Sequence, residues 1–351
     1  GMLGALFISS LCIIAAALAR SDDSKIVGGR FVDDVTSIPF IVSVQVKKIG
    51  HNCGGSLLTM SYVLSACHCL ADVATNDEPL YVYDPDKFLF VAGETDFEGD
   101  KTHSQVREAR VFHIHPKCAR SVTIIHDFAA GEMKEPFLIT EYVKPFQLLT
   151  TEAAEFENEF QKLISDDDTN CQVAGWGETR RGNEENPVAS TKLKAVRMYI
   201  IEENDCQELY GQRERAFATF PFWVYGQVCA VSRTYNESDC LGDSGSPFFC
   251  DDYVVGVVSY GYECGTFMPS VYTGLKFFLE WFMSEVYPLR PGHDLDDPLN
   301  KRMKMNGSQL PHTREPEGNN RSGGNKISAW TVCILQYCAV AGMMQTLWAL
   351  F

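Results

Sequence analysis

The chain has no surplus of positive charge: 30 Lys and Arg face 46 Asp and Glu, for a formal net charge of −16. Acidic clusters such as Asp166-Asp167-Asp168 and the stretch from Glu152 to Glu159 reinforce that balance, which argues against nucleic acid as a partner. No internal period of repeat length is evident, so a solenoid or propeller array is excluded. Zinc-like cysteine spacing is also missing, because Cys67 and Cys69 stand too close together. We expect no metal and no other cofactor. The N-terminus lacks the basic segment that normally opens a secretory leader. Residues 3–19 nevertheless form an apolar run ending Ala17-Leu18-Ala19, the small-x-small pattern of a signal cleavage site. We read residues 1–19 as a signal peptide and place the protein outside the cell; a buried helix or membrane anchor is the other use of such a run.

Of the thirteen cysteines, Cys12 falls in the leader and Cys333 and Cys338 in an apolar tail. The ten that remain are an even number, as a disulfide framework in a secreted chain requires. At 351 residues the chain accommodates one principal domain with an appendage. Runs of β-like composition occur at Phe40–Val46, Ser56–Leu64, Phe88–Ala92, Val106–Ile114, Gln172–Gly175, Lys192–Ile201 and Tyr253–Tyr260. Val271–Val286 instead carries Leu275, Phe278, Leu279, Phe282, Met283 and Val286 at helical spacing. The expected body is all-β, closed by one terminal helix. Residues 289–328 then turn polar and rich in Asp, Asn, Pro and Gly, which reads as a disordered linker.

Reactive chemistry is suggested by Asp239-Cys240-Leu241-Gly242-Asp243-Ser244-Gly245-Ser246-Pro247. Serine is a poor nucleophile until a base takes its proton and N–H donors await the oxyanion. Alone, a Gly-Asp-Ser-Gly turn is a weak signal. A base is suggested by His68, which follows the apolar run ending at Leu64, and an acid by Asp127, embedded in Ile124-Ile125-His126-Asp127-Phe128. A buried aspartate needs hydrogen-bond donors, and an imidazole N–H is a suitable one. Lys25 precedes Ile26-Val27-Gly28-Gly29. A cut there frees an Ile26 ammonium backed by two glycines; the plainer reading is a strand start.

With Cys53-Gly54-Gly55-Ser56-Leu57, Ala174-Gly175-Trp176-Gly177, Ser259-Tyr260-Gly261 and Val271-Tyr272-Thr273 in order along the chain, residues 26–288 resemble a trypsin/chymotrypsin-like serine endopeptidase. The resemblance implies two six-stranded antiparallel β-barrels, with the active site between them, plus a C-terminal α-helix. It implies Ser244 as nucleophile, His68 as general base and acid, Asp127 as the orienting carboxylate, and Gly242 and Ser244 N–H groups as the oxyanion hole. It implies a zymogen with an activation propeptide at 20–25, in which the freed Ile26 ammonium pairs with Asp243. The substrate pocket would be formed by Ser238, Asp239, Ser259, Tyr260, Gly261 and Ser270. Ser238 at its floor favours apolar or aromatic side chains and Ser270 makes the pocket shallower, so uncharged, medium-sized residues are expected, while Asp239 keeps basic ones open.

Matching disulfides would be Cys53–Cys69, Cys171–Cys250, Cys206–Cys229 and Cys240–Cys264. Cys67 and Cys118 lie outside the family pattern and form either a fifth bridge or two buried thiols. Polypeptide substrates, an activating trypsin-like protease and protein protease inhibitors are the implied partners. The alternative is a catalytically silent homologue that acts as a binding module.

Where the family runs aliphatic, Phe128-Ala129-Ala130-Gly131-Glu132 has small residues and an acid, so a loosely packed strand is expected there. Glu94, Asp96, Glu98 and Asp100 crowd a loop that holds calcium in some members; a solvated acidic turn is the reading adopted here. Sequons begin at Asn236, Asn306 and Asn320. Small residues near Asn320–Asn325, a polar spacer and the apolar run 329–351 suit a glycolipid-anchor signal, with a membrane-spanning anchor or a docking segment as alternatives.

Overall fold

Short runs rich in valine, isoleucine and phenylalanine pair into two large, mainly antiparallel sheets, beside two short two-stranded ones. The computed structural model describes residues 27–73, 80–166, 168–178, 190–234 and 236–286. The chain divides into two units, Gly1–Asn306 and Gly307–Phe351, and all described residues belong to the first. The leader, the propeptide with Ile26, the linker and the apolar tail therefore lie outside the described residues. Among the described residues no helix is long and apolar enough to cross a membrane.

The first sheet contains β1 (Ile41–Val46), β2 (Gly50–Leu57), β3 (Tyr62–Ser65), β4 (Phe88–Ala92), β5 (Gln105–Arg107), β6 (Ala109–Ile114) and β7 (Ala129–Met133). They run in the order β5-β4-β1-β2-β3-β7-β6, as a curled sheet. A short helix, α1 (Cys67–Leu70), follows β3 directly. The second sheet has eight strands. Two have only two residues, Arg30–Phe31 and Gln147–Leu148, the latter paired in parallel with Tyr253–Val254. Six are longer: β8 (Cys171–Gly175), β9 (Lys194–Ile200), β10 (Gln227–Ser232), β11 (Pro247–Cys250), β12 (Tyr253–Tyr260) and β13 (Ser270–Gly274). Their order β9-β8-β11-β12-β13-β10 closes on itself through β10–β9 pairing, giving a six-stranded barrel. The fold is the expected double-barrel arrangement, with one barrel sealed and the other curled.

Several local expectations needed correction, among them Val106–Ile114, which is not one strand but β5 and β6, at opposite edges of the first sheet. Ser56–Leu64 is not one strand but the β2–β3 hairpin, because Thr59 Oγ1 accepts the N–H groups of Ser61 and Tyr62 and bends the chain. The helical spacing from Val271 is interrupted: residues 270–274 form β13, whose backbone pairs with β10 and β12 on its two sides. The terminal helix α4 is Lys276–Trp281, continued as a π-helical turn Phe282–Val286. Two more helices were not anticipated, α2 (Ala153–Ile164) and α3 (Glu203–Arg213). In α2, Phe156 and Phe160 lie one turn apart and bury one face, with their rings 5.9 Å apart. The acidic stretch is thus the wet side of an amphipathic helix.

The small residues of β7 do not loosen it. Ala129 and Ala130 are fully buried, and a side chain at Gly131 would stand 3.0 Å from the Phe90 ring. Glu132 is paired with Arg110 and His113. Close approach of a large ring, rather than a void, explains the small side chains.

Candidate active site

α1 places its cysteines in the core and leaves His68 partly exposed. Both cysteines are bridged, Cys53–Cys69 and Cys67–Cys118, so the turn carrying His68 is covalently fixed on each side. Asp127 is fully buried. Its Oδ2 lies 2.8 Å from His68 Nδ1 and accepts the Ser259 hydroxyl at 2.6 Å, while Oδ1 accepts the His68 backbone N–H at 3.1 Å. Burial opposes the charged form of both partners, but each partner's charge and hydrogen bond outweigh it. His68 is accordingly raised above its ordinary value and Asp127 lowered below its own, with Arg120 working against the His68 charge. Sequence reasoning placed Ser259 only as a substrate contact and missed its bond to Asp127; nothing in the sequence pattern signals that bond.

The serine loop is shaped by backbone. Gly242 has φ +97° and Gly245 φ +77°, conformations that glycine adopts without penalty. A side chain at Gly245 would also strike the Gly54 carbonyl at 2.6 Å. Around the loop, Asp243 N–H donates to the Cys240 carbonyl, Gly245 N–H to Val258 and Ser246 N–H to Asp243. The N–H groups of Gly242 and Ser244 have no acceptor among the described residues. Gly54 N–H holds the Ser244 carbonyl at 2.8 Å, which ties the loop to the first sheet. His51, missed in the sequence, buttresses it further: Nε2–H donates to the Gly242 carbonyl at 3.0 Å and Nδ1 accepts the Ser43 hydroxyl at 2.8 Å. Burial pushes His51 down to about 4, so the ring stays neutral in that tautomer.

Asp243 is fully buried. Its carboxylate accepts the backbone N–H of Gly177 at 2.7 Å and of Cys240 at 2.9 Å. Gly175 and Gly177 leave room for it, since a side chain at either would lie within 2.3 Å of a carboxylate oxygen. Burial, with Asp239 adding to it, pushes Asp243 up to about 7 in spite of the two N–H donors. No cation faces it among the described residues. Val27, just after the expected cut, is buried beside this region, where its carbonyl accepts the Ser238 N–H at 3.2 Å.

A cleft of about 590 Å³ brings together His68, Ser244 and all six expected pocket residues, Ser238, Asp239, Ser259, Tyr260, Gly261 and Ser270. Ser244 Oγ and His68 Nε2 share the cleft without a hydrogen bond between them, as is common before substrate enters. The Ser238 hydroxyl donates to the Asp239 carbonyl and accepts Gly265 N–H. The Asp239 carboxyl accepts Tyr272 O–H at 2.7 Å, and burial raises its pKa although the Ser270 and Tyr272 hydroxyls pull the other way. A separate groove of about 640 Å³ beside α2 holds none of the candidate catalytic or substrate-pocket residues.

Cys171–Cys250, Cys206–Cys229 and Cys240–Cys264 complete the five disulfides of the described body. In the acidic loop, Lys101 Nζ donates to Glu94 Oε2 at 2.6 Å and to the Asp96 carbonyl at 3.0 Å, so a lysine ammonium sits among oxygens that a calcium ion would need.

The trypsin family model matches residues 26–282. Trypsin 5G1 of Aedes aegypti is 29% identical over 267 residues, covering 75% of this chain and 85% of that protein. Putative trypsin-6 of Homo sapiens is 26% identical over 283 residues, 80% of this chain and 97% of that one. Trypsin II-P29 of Gallus gallus is 26% identical over 284 residues, 80% and 98% of the respective chains.

Proposed function

Since the chain belongs to the trypsin family of serine proteases, we propose that it is an extracellular serine endopeptidase, made as a zymogen and activated by cleavage of Lys25–Ile26. The observation that carries this reading is the pairing of His68 with a buried, three-times hydrogen-bonded Asp127 in one cleft with Ser244.

In the proposed reaction, Ser244 Oγ bonds to the scissile carbonyl carbon as its proton passes to His68 Nε2. The oxyanion is received by the Gly242 and Ser244 N–H groups, and such a donor is worth roughly 3 to 4 kcal/mol of barrier. His68 then gives the proton to the departing amine, and the acyl-enzyme is hydrolysed by water through the same steps. Asp127 holds the Nδ1–H tautomer and stabilises the imidazolium. Activation supplies Asp243 with the Ile26 ammonium, the counter-charge that its burial calls for.

For the residue before the scissile bond, the reading is an uncharged, medium-sized side chain, because the Asp239 carboxyl is capped by the Tyr272 hydroxyl and raised by burial. A basic residue is the second reading, favoured by the lack of any cation facing Asp239 among the described residues. The membrane anchor through residues 329–351 remains part of the proposal. Release of activity by a phosphatidylinositol-specific phospholipase supports a lipid anchor, and retention with the tail intact in the mature protein opposes it.

The activation step is tested with Lys25→Gln treated with a trypsin-like enzyme. We expect an intact, silent chain; peptide hydrolysis equal to that of the cut wild type would refute the switch.

A further inference from the structure

The residue before Asp127 is a histidine in a conformation that glycine favours: His126 has φ +50°. The backbone around it is pinned. Phe128 N–H donates to the His126 carbonyl at 2.8 Å, closing a three-residue turn centred on Asp127, and His115 N–H donates to the Phe128 carbonyl at 3.1 Å. The His126 ring lies flat against His115, with centroids 5.1 Å apart and planes at 18°. Tyr225 and Phe277 meet His126 edge-on, and Trp281 and Phe128 meet His115. Rings from the 223–225 turn and from α4 thus enclose two imidazoles that are only 9% and 6% exposed. The turn bearing His115 is joined to α1 by Cys67–Cys118, so it connects back to His68.

We propose that His126, stacked on His115, is a positioning residue that holds the Asp127 turn in place, and that the stack works only while both rings are uncharged. This rests on Asp127 being the carboxylate of the catalytic triad. The stack compensates for a backbone that histidine does not adopt freely, and it cannot accommodate protons. His115 Nδ1 accepts the Lys117 N–H at 3.2 Å, so a proton added there sets two donors face to face. His126 Nδ1 is buried without a partner, and a charge on it has no acceptor among the described residues.

The titratable groups on the surrounding elements give little relief. Lys117 repels both rings, Tyr225 meets His126 only with its ring, Lys276 of α4 is 3.9 Å from Glu157, and Glu280 of α4 is exposed. Asp127 is already bound by His68 and Ser259. Burial, then His126 and Lys117, hold His115 down to about 4; burial and Lys117 lower His126 as well. Unfolded histidine titrates near 6.5, so the folded form binds fewer protons between about 4 and 6.5. Its stability is complete above that window and is lost as pH falls through it.

The test uses the full chain, activated by cleavage, with rates expressed per active site titrated by a fluorophosphonate. His68 alone gives kcat/KM an acid limb of one proton; the stack should steepen the wild-type limb at its acid end, from about pH 4 downward, where His115 takes up its proton. His126→Asn tolerates the left-handed backbone but lacks the ring, and should lower kcat about tenfold or more at pH 7.5 with little change in KM. His126→Phe restores a ring without a proton, and should recover part of kcat and flatten the limb to one proton, as should His115→Phe. The thermal midpoint of Ser244→Ala should fall between pH 6.5 and 4, by less once His115→Phe is added. An Asn variant within twofold of wild type, or a Phe variant with the wild-type limb and thermal profile, would overturn the proposal. Loss of stability with kcat per titrated site unchanged would also overturn it. Should the wild type take no label and cleave nothing, the protease reading fails while the thermal profile still judges the stack.

Discussion

The corner that carries His68 and the loop that carries Ser244 are built on opposite plans. The His68 corner is saturated with side-chain partners: two disulfides flank the histidine, and Asp127 takes bonds from His68 and Ser259. The serine loop is held mostly through backbone, by Gly54, His51 and Gly177, and its buried Asp243 faces no cation among the described residues. One half of the site is electrically complete in the described structure, and the other holds a buried carboxylate, raised to about 7, that no cation faces among the described residues. A switch that acts by delivering an ammonium must act on the second half, since only there does burial leave a carboxylate uncompensated.

The sharpest way to break that contrast is to disable the complete half. Asp127→Asn keeps the shape but offers His68 an amide in place of a carboxylate, and kcat of the activated enzyme should drop by about 10⁴-fold. A loss under tenfold, measured on peptide substrates with titrated sites, would mean that this corner is not the base machinery.

The incomplete half is examined through pH. A carboxyl whose folded pKa lies above its unfolded value binds more protons when folded, so stability falls as pH rises. For Asp243 that window runs from about 4 in the unfolded chain to about 7 in the fold. Relative to the same chain with Asp243→Asn, the uncut chain carrying Ser244→Ala to prevent self-cleavage should lose on the order of a few kcal/mol across it. The difference cancels the buried histidines, whose lowered values act in the opposite sense. Cutting at Lys25 should remove or reverse that difference. Urea unfolding at a series of pH values reads these, and an uncut chain whose pH profile matches that of Asp243→Asn would contradict the account.

The smallest effect concerns choice of substrate. Asp239→Ser should shift the ratio of basic to uncharged preference by about tenfold in a positional peptide library. A dominant Arg or Lys preference that vanished in the variant would put the basic reading first.

Much of this was legible in the sequence because the decisive residues are bound to local pattern. Ser244 sits in a glycine turn whose spacing is a backbone requirement, and His68 and Asp127 each follow an apolar run that becomes a strand or the approach to one. The elements that escaped were decided by distant partners. Val271–Thr273 looks helical by spacing, yet two flanking strands claim its backbone. α2 was read as an acidic cluster, because Phe156 and Phe160 gain meaning only once a core exists for them to face. The bond from Ser259 to Asp127 and the buttress from His51 escaped for the same reason: each spans more than a hundred positions of sequence.

The central claim, a serine protease site completed by cutting before Ile26, is tested most directly by labelling Ser244 with a fluorophosphonate before and after cleavage at Lys25, with Ser244→Ala as control. The account predicts strong, stoichiometric labelling of the cut chain, weak labelling of the uncut chain and of Lys25→Gln, and none in the control. Equal labelling of cut and uncut chains would contradict the switch, and an unlabelled cut chain would contradict the nucleophile itself.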